Sequence, residues 1–205
     1  MNDLLPNIVR LIQRYHSLKM PRIIHFIWVG SQIPVKYIYN IINVVIGNPN
    51  FRVYVWIDNP QGYGSHIQKH DILLSAPNIH LRNASTIFPR IVKLIPRAKY
   101  LIPYYERERI GIFTNYAAAA DILRLFILYI YGGIYLYTDI KLSMDYSQAT
   151  LLNLEPKFYT HVTISNAKKF IVNNDLMAAP PESVVIRKSI ELVVQRYTHV
   201  NPEIL

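Results

Sequence analysis

Two short apolar runs with a helix-like segment between them constrain the fold of this chain more than any other feature. Residues 23–30 (IIHFIWVG) and 51–58 (FRVYVWID) are almost uninterruptedly apolar, which is typical of strands buried on both faces of a parallel sheet. Residues 37–46 repeat apolar side chains at helical spacing, and 48–50 (NPN) predict a turn. This order predicts a βαβ unit, and therefore an α/β fold with ligand crevices at the carboxyl ends of its strands.

The clearest helix lies near the middle of the chain. Residues 115–131 (NYAAAADILRLFILYIY) contain four alanines in an apolar stretch, and Thr114 or Asn115 can cap the helix. Gly132 and Gly133 predict its end, because glycine tolerates the backbone conformation that follows a helix. We expect a helix that is largely buried.

A strand is predicted directly after this helix, over residues 134–140. Side chains alternate along a strand, so Tyr135, Tyr137 and Asp139 are expected on one face. Weaker patterns elsewhere predict short strands and a closing helix, with the ranges 79–83, 86–88, 158–164 and 170–172 for strands and 183–197 for the helix. We expect a single domain over residues 1–205, with a core over 21–180, an amphipathic helix within 1–20 and a helix within 181–205.

Composition excludes several classes of site. The 205 residues contain no cysteine, so disulfides, thiol nucleophiles and cysteine-based metal centres are excluded. Lysine and arginine exceed aspartate and glutamate by 22 to 13, a net charge of +9 that favours anionic partners. Arg90, Lys93, Arg97 and Lys99 recur at roughly helical spacing, either as a solvated face or as a contact for phosphate or an anionic membrane surface. The N-terminal amphipathic helix leaves the same choice between packing on the core and lying on a membrane.

The sequence shows neither a Sec-type signal peptide nor an apolar run of transmembrane length. We therefore expect a cytoplasmic protein or a bacterial effector delivered into a host cell. No helix-turn-helix, RNP-type or OB signature appears, so we expect no nucleic-acid partner.

Two charged residues lie within the predicted apolar helix. Asp121 and Arg124 are three residues apart and share a helix face. Buried charges are costly unless they are paired, so they form either a structural ion pair or a pair that faces a polar ligand.

Taken together, these segments resemble the glycosyltransferases with a DXD sugar-binding motif. PRIIHFIWVGSQIP is similar to the first strand of that family, FRVYVWID to the second, and AAAADILRLFILYIYGGIYLYTDIKL to its Ala-x-x-x-Asp-x-x-Arg and Gly-Gly-x-Tyr-x-Asp-x-Asp core. The pattern is closest to the catalytic domains of large clostridial cytotoxins and related bacterial effectors. The resemblance implies a GT-A-like (Rossmann-like) nucleotide-sugar fold with a mostly parallel central sheet flanked by helices.

The resemblance also implies roles for individual residues. Trp28 would stack on the nucleobase, and Asp121 and Arg124 would hold the donor sugar and its diphosphate. Tyr135 would line the site, and Asp139, the second acid of DXD, would ligate Mn²⁺ or Mg²⁺. A further set, Asn173, Asn174 and Asp175, corresponds to a polar turn of the family.

One position departs from the family pattern. Tyr137 replaces the first aspartate of DXD, which in the family touches the donor ribose and the hydration shell of the metal. A phenol is neutral near pH 7, and loss of an outer-shell partner commonly costs about 10–100-fold in affinity or activity. Tyr137 could instead hydrogen-bond a ribose or fill part of the donor pocket.

The resemblance implies a metal-dependent, retaining transfer of glucose or N-acetylglucosamine from a UDP-sugar to a glycan or a protein side chain, such as one on a host GTPase. The alternative is a non-catalytic family member that binds a sugar nucleotide or a partner protein, which the tyrosine at position 137 favours.

Overall fold

A six-stranded sheet forms the centre of the protein. The computed structural model describes residues 19–30, 32–58, 73, 76–140, 155–164 and 170–200. The strands are β1 (Ile23–Trp28), β2 (Arg52–Ile57), β3 (Ile79–Asn83), β4 (Gly133–Leu136), β5 (Tyr159–Ile164) and β6 (Phe170–Ala179). The α-helices are α1 (Val35–Gly47), α2 (Phe88–Leu94), α3 (Ile102–Ile110), α4 (Tyr116–Tyr131) and α5 (Val184–Val200), and short 3₁₀ helices cover Ala84–Ile87 and Pro96–Leu101.

The strand order is β3-β2-β1-β4-β6-β5. The first four strands in this order are parallel, and β6 and β5 are antiparallel to their neighbours. The expected βαβ unit is β1-α1-β2, and the expected mostly parallel sheet is confirmed. No helix in the described part of the chain is long and apolar enough to cross a bilayer.

Two apolar cores cover the two faces of the sheet. One core lies between the sheet and α1, and β1 and β2 contribute alternate residues such as Ile24, Phe26, Val53 and Val55. The other lies under α2 to α5, with α4 at its centre. Strands covered on both faces are apolar throughout, which explains the uninterrupted runs in the sequence.

A buried histidine ties β1 to its neighbours. His25 is fully buried, and the Trp56 indole N–H donates to its Nδ1 atom over 3.1 Å. Because the indole can only donate, Nε2 carries the proton of the neutral ring and donates to the Gly132 carbonyl oxygen over 2.8 Å. Burial lowers the pKa of His25 to about 4, which keeps the ring neutral. One side chain thus connects β1, β2 and the junction between α4 and β4.

Three sequence predictions need correction. Residues 86–88 are not a strand, because a 3₁₀ helix over Ala84–Ile87 leads directly into α2. The strand predicted over 134–140 ends at Leu136, where pairing gives way to a turn. The strand predicted over 170–172 continues to Ala179. The predicted N-terminal helix falls outside the described residues, except for residues 19 and 20.

Candidate functional site

The carboxyl ends of β1 and β4 meet the amino end of α4 around a cavity of about 240 Å³. We call it the Trp28 cavity. Its lining is mostly aromatic and apolar, with Asp139 at its edge, and consists of Ile27, Trp28, Val29, Tyr37, Tyr116, Ala117, Ala120, Tyr135, Tyr137, Thr138 and Asp139. The expected crevice at the carboxyl edge of parallel strands is therefore present.

Backbone geometry shapes one wall of this cavity. Gly30 follows β1 at a φ of +104°, and a Cβ atom there would lie 2.8 Å from the Tyr116 ring. The close approach of Tyr116 therefore requires glycine at this position. On the opposite wall Trp28, which is partly buried, lies against Tyr37 with ring centroids 5.3 Å apart.

A second cavity of about 290 Å³ lies on an adjacent face of α4. We call it the Asp121 cavity. The lining comes from α4, β6 and α5 and consists of Ala118, Asp121, Ile122, Arg124, Leu125, Asn174, Met177, Val193 and Tyr197. Two expected site residues, Asp121 and Arg124, thus line a different cavity from Trp28 and Asp139.

Asp121 and Arg124 form the ion pair that their spacing predicts. The Arg124 side chain is 2% exposed, whereas that of Asp121 is 46% exposed. Arg124 also donates to the backbone carbonyl oxygen of Asn174. The guanidinium is therefore fixed in place, and the carboxylate reaches solvent at the cavity.

Arg124 is held between two aromatic rings. Its guanidinium carbon lies 5.0 Å from the centroid of Tyr135 and 5.2 Å from that of Tyr137. The two rings meet edge to face with centroids 5.7 Å apart. Burial raises the pKa of the Tyr135 hydroxyl well above its usual value, so this side chain stays neutral. Such stacking on a planar cation is favourable when both partners are desolvated.

The Tyr137 hydroxyl contacts three residues of the Asp121 cavity. It lies 3.3 Å from an Arg124 nitrogen, 3.4 Å from Asp121 Oδ1 and 3.2 Å from Asn174 Oδ1. A hydroxyl carries one proton, so it accepts from Arg124 and donates to one of the two oxygens at a time. Because Tyr137 also lines the Trp28 cavity, its side chain stands in the wall between the two cavities.

Asp139 lies in the turn after β4 and is exposed. The turn is closed by a hydrogen bond from the Ile140 N–H to the Tyr137 carbonyl oxygen. The prediction that Asp139 sits on a strand face is therefore wrong, although it does reach the same cavity as Tyr135 and Tyr137. Among the described residues, no cation forms an ion pair with Asp139.

The polar residues 173–175 lie in an irregular part of β6. Thr160 pairs with Met177 but Val162 pairs with Val172, so residues 173–176 stand opposite His161 alone. This bulge replaces the expected polar turn, and bulges commonly re-aim side chains near functional sites.

The bulge separates neighbouring side chains. Asn173 donates to the Thr163 hydroxyl over 3.1 Å, on β5. Asn174 instead meets Tyr137, as described above. The predicted site residue Asn173 is thus not joined to the Arg124 network, whereas its neighbour Asn174 is. Asp175 pairs with His161 over 3.0 Å.

Asp58 was not among the predicted site residues. Its side chain is 4% exposed, Oδ2 accepts from the Gly30 N–H over 3.2 Å, and Arg109 lies 3.6 Å away. Its other oxygen, Oδ1, has no hydrogen-bond partner among the residues that the structure describes. The carboxylate directly follows an apolar strand, which is the sequence feature that could have identified it.

The described residues contain no group of three or more histidine, aspartate or glutamate side chains arranged to hold a metal ion. A divalent cation here would therefore need ligands beyond Asp139. Mg²⁺ commonly binds through one or two carboxylates plus substrate phosphates and water. A site that binds the metal together with a diphosphate fits the residues present.

Comparison with known protein families finds a match that covers residues 34–153. They match the family model described as a glycosyltransferase sugar-binding region containing a DXD motif, over more than half of the chain. No curated protein matches the chain as a relative.

Several solved structures share the fold. The PaToxG glycosyltransferase superposes with a TM-score of 0.68 at 19% identity, over 98% of this chain and 72% of the other. The UDP-bound glycosyltransferase domain of the YGT toxin gives 0.67 at 15% identity, over 90% and 63%. The catalytic domain of alpha-toxin from Clostridium novyi gives 0.61 at 13% identity, over 98% and 63%. This chain thus spans roughly two thirds of the length of these domains.

Proposed function

Since the chain belongs to the glycosyltransferase family that has a sugar-binding region containing a DXD motif, we propose that it transfers a sugar from a UDP-sugar to a protein side chain or a glycan. Glucose and N-acetylglucosamine are the proposed sugars. The observation that carries this proposal is the Trp28 cavity, where an aromatic side chain from β1 and the second acid of the DXD position from beyond β4 line one space. The shared fold with a UDP-bound toxin domain supports a uridine nucleotide as the donor.

The two cavities suggest which part of the donor each of them would hold. The uracil would stack on Trp28, and base–aromatic stacking is commonly worth about 1–3 kcal/mol. The sugar would lie toward Asp121, whose carboxylate is half-exposed and can accept hydrogen bonds from sugar hydroxyls. The diphosphate joins the uridine to the sugar and accumulates negative charge as it leaves. Arg124 would supply the positive charge that stabilises it.

A divalent cation, Mn²⁺ or Mg²⁺, is proposed at Asp139. When bound, the cation would neutralise the diphosphate as the sugar–phosphate bond breaks. The Asp139 carboxylate is exposed at the rim of the Trp28 cavity and is available to hold it. Tyr137 presents a phenol in place of a carboxylate and would act on the ribose or the wall of the pocket rather than on the metal.

Retention of anomeric configuration is proposed on the same residues. Asp121 and Asp139 are the carboxylates that line the two cavities, and Asp121 is already paired with Arg124. Among the described residues, each cavity therefore has a single lining carboxylate, whereas the double displacement of retaining glycosidases uses a pair. We therefore propose transfer on the face of the sugar that the diphosphate leaves, without a covalent enzyme intermediate.

Hydrolysis of a panel of nucleotide sugars tests the proposal. The chain is incubated with UDP-glucose, UDP-N-acetylglucosamine and related donors, with Mn²⁺ or with a chelator, and released UDP is measured. We expect slow, metal-dependent UDP release from one donor. Absence of release and of UDP binding for every donor would contradict the proposal.

Substitution of Asp139 tests the metal assignment. Asp139→Asn removes the charge but keeps the size of an exposed side chain, so we expect unchanged stability. Metal-dependent UDP release should fall by about 100-fold, which corresponds to about 3 kcal/mol of transition-state stabilisation. Glu191→Gln is the matched control, because that carboxylate is paired with Arg187 on α5 and lines neither cavity. Equal losses in both variants would reject the assignment.

A non-catalytic sugar-nucleotide-binding protein is the second candidate. The hydrogen bonds of Tyr137 to Asp121 and Asn174 favour it, because they occupy groups that a donor sugar would use. UDP binding without turnover of any donor would support this alternative.

The acceptor and compartment are proposals from the resemblance alone. We propose an effector delivered into a host cell, with a protein acceptor such as a GTPase. The exposed basic residues Arg90, Lys93, Arg97 and Lys99 would let the protein contact an anionic membrane surface.

A further inference from the structure

The two cavities lie on adjacent faces of one helix. Ala117 and Ala120 of α4 line the Trp28 cavity, whereas Ala118 and Asp121 line the Asp121 cavity. Ala117 and Asp121 are four residues apart and share a face of α4, so the helix places the two cavities side by side without separating them. Something beyond the helix must decide whether the two cavities join.

Tyr137 occupies the position between them. Its ring lines the Trp28 cavity, and its hydroxyl hydrogen-bonds to three residues of the Asp121 cavity. A short acidic side chain at this position would be several atoms smaller, so the wall depends on the phenol. The ring itself contacts the Arg124 guanidinium and the Tyr135 ring.

The hydroxyl occupies the hydrogen bonds that a sugar would need. Asp121 Oδ1 and Asn174 Oδ1 are acceptors, and the Arg124 guanidinium is a donor. A sugar hydroxyl has the same one donor and two acceptor sites as the phenol hydroxyl. UDP alone lacks the donor-sugar hydroxyls that would donate to Asp121 Oδ1 and Asn174 Oδ1.

We infer that Tyr137 is a gate in the donor site, which a UDP-sugar must open and UDP alone need not. The inference rests on the proposed function. Donor binding would move the phenol hydroxyl away from Asp121, Arg124 and Asn174, and the sugar hydroxyls would take over its hydrogen bonds. Tyr137 then discriminates between UDP and the UDP-sugar, as a specificity-determining residue.

Tyr137→Phe isolates the gate. The substitution keeps the ring against Arg124 and Tyr135 and removes the hydroxyl, so the fold should be retained. Isothermal titration measures the affinity for UDP and for UDP-glucose at one Mn²⁺ concentration, in the parent and in the variant. In the parent, UDP-glucose must first break the hydrogen bonds of the Tyr137 hydroxyl, and this cost weakens its binding. In Tyr137→Phe the cost is absent, so UDP-glucose should bind about five- to tenfold more tightly. UDP affinity should stay within about twofold.

Tyr39→Phe is the matched control, because Tyr39 is exposed on α1 and lines neither cavity. It should change neither affinity. Tyr137→Leu is the second variant and removes the aromatic wall as well. In this variant too, we expect the affinity for UDP-glucose to rise relative to that for UDP. Thermal unfolding of each variant verifies that it is folded.

Two results overturn the gate. In the first, Tyr137→Phe changes UDP and UDP-glucose affinity by the same factor or leaves both unchanged. In the second, it weakens UDP-glucose selectively, which would make the hydroxyl a binding group for the sugar. Because both results require UDP to bind, they leave the proposed function intact. Failure of the parent chain to bind UDP or any UDP-sugar would instead reject the proposed function, and the gate with it.

Discussion

The two cavities beside α4 are built in different ways. The Trp28 cavity is shaped by backbone: the ends of two parallel strands, the glycine that follows β1 and the amino end of a helix. The Asp121 cavity is shaped by side chains, with a buried guanidinium tied to a carboxylate, a carbonyl oxygen and two aromatic rings. Both cavities have many apolar lining residues, but the first is fixed by the packing of the sheet, whereas the polar side of the second is fixed by charges and hydrogen bonds.

This difference predicts which substitutions disturb each cavity. A change in the sheet or in a glycine should disturb the Trp28 cavity and leave the ion pair in place. A change in one polar side chain should do the reverse. Three predictions follow from the largest expected effect to the smallest: the first tests the sheet that carries both cavities, and the other two test this separation.

Acid should destabilise the protein through His25, which is buried in the sheet. Its pKa is lowered from 6.5 to about 4 by burial, so the unfolded chain takes up a proton before the folded one does. Stability is therefore full above pH 6.5 and is lost as the pH falls toward 4, by about 3 kcal/mol in total. Urea unfolding at a series of pH values between 7.5 and 4.5 measures this loss.

Two histidine variants separate this effect from general acid sensitivity. His25→Asn should be less stable at pH 7.5, because the Trp56 and Gly132 hydrogen bonds are altered, but its stability should depend much less on pH. His80→Asn replaces an exposed histidine and should keep the pH dependence of the parent. A steep pH dependence in His25→Asn would contradict the assignment.

Gly30→Ala should disturb the Trp28 cavity alone. The added Cβ atom meets the Tyr116 ring at 2.8 Å, and alanine is strained at a φ of +104°. We expect a loss of about 2 kcal/mol in the free energy of unfolding and weaker UDP binding. Gly47→Ala, at the end of α1, is the control and should be neutral, because that glycine has no positive φ. Unaltered UDP affinity in Gly30→Ala would show that Tyr116 does not define the pocket.

Arg124→Lys should disturb the Asp121 cavity alone. A lysine keeps the charge but cannot reproduce the planar fork that contacts Asp121, Tyr137 and the Asn174 carbonyl oxygen together. We expect a loss of about 1 kcal/mol in the free energy of unfolding and weaker binding of both UDP and UDP-glucose, because both carry the diphosphate that Arg124 is proposed to neutralise. Lys188→Arg, on α5, is the reciprocal control and should change neither stability nor affinity. Unaltered UDP affinity in Arg124→Lys would show that Arg124 does not serve the diphosphate.

Much of the fold could be read from local patterns. The apolar runs around Trp28 and Trp56 became β1 and β2, and α4 begins and ends within one residue of its predicted limits. Asn115 caps α4 through its side chain, as expected. These features succeed because a strand covered on both faces and a capped helix leave direct marks on consecutive residues.

The site was only partly predictable. Trp28, Tyr135, Tyr137 and Asp139 do line one cavity, and Asp121 does pair with Arg124. The ion pair could be predicted from the spacing of two residues in one helix. That the other four residues line one site was predicted only from the family resemblance. Asn173 is not joined to the Arg124 network, because the β6 bulge directs its side chain to Thr163. A register shift between strands depends on both strands at once, and no single segment records it.

The sequence by itself determined the parallel strands, the buried helix with its ion pair and the tyrosine at the first acidic position of the motif. Each of these is fixed by residue types that are close together along the chain. Only the tertiary structure decided that Tyr137 stands between two cavities and that Asn174 completes the Arg124 network. Both facts arise where β4, β6 and α4 meet, and contacts between distant segments depend on packing and register that no local pattern contains.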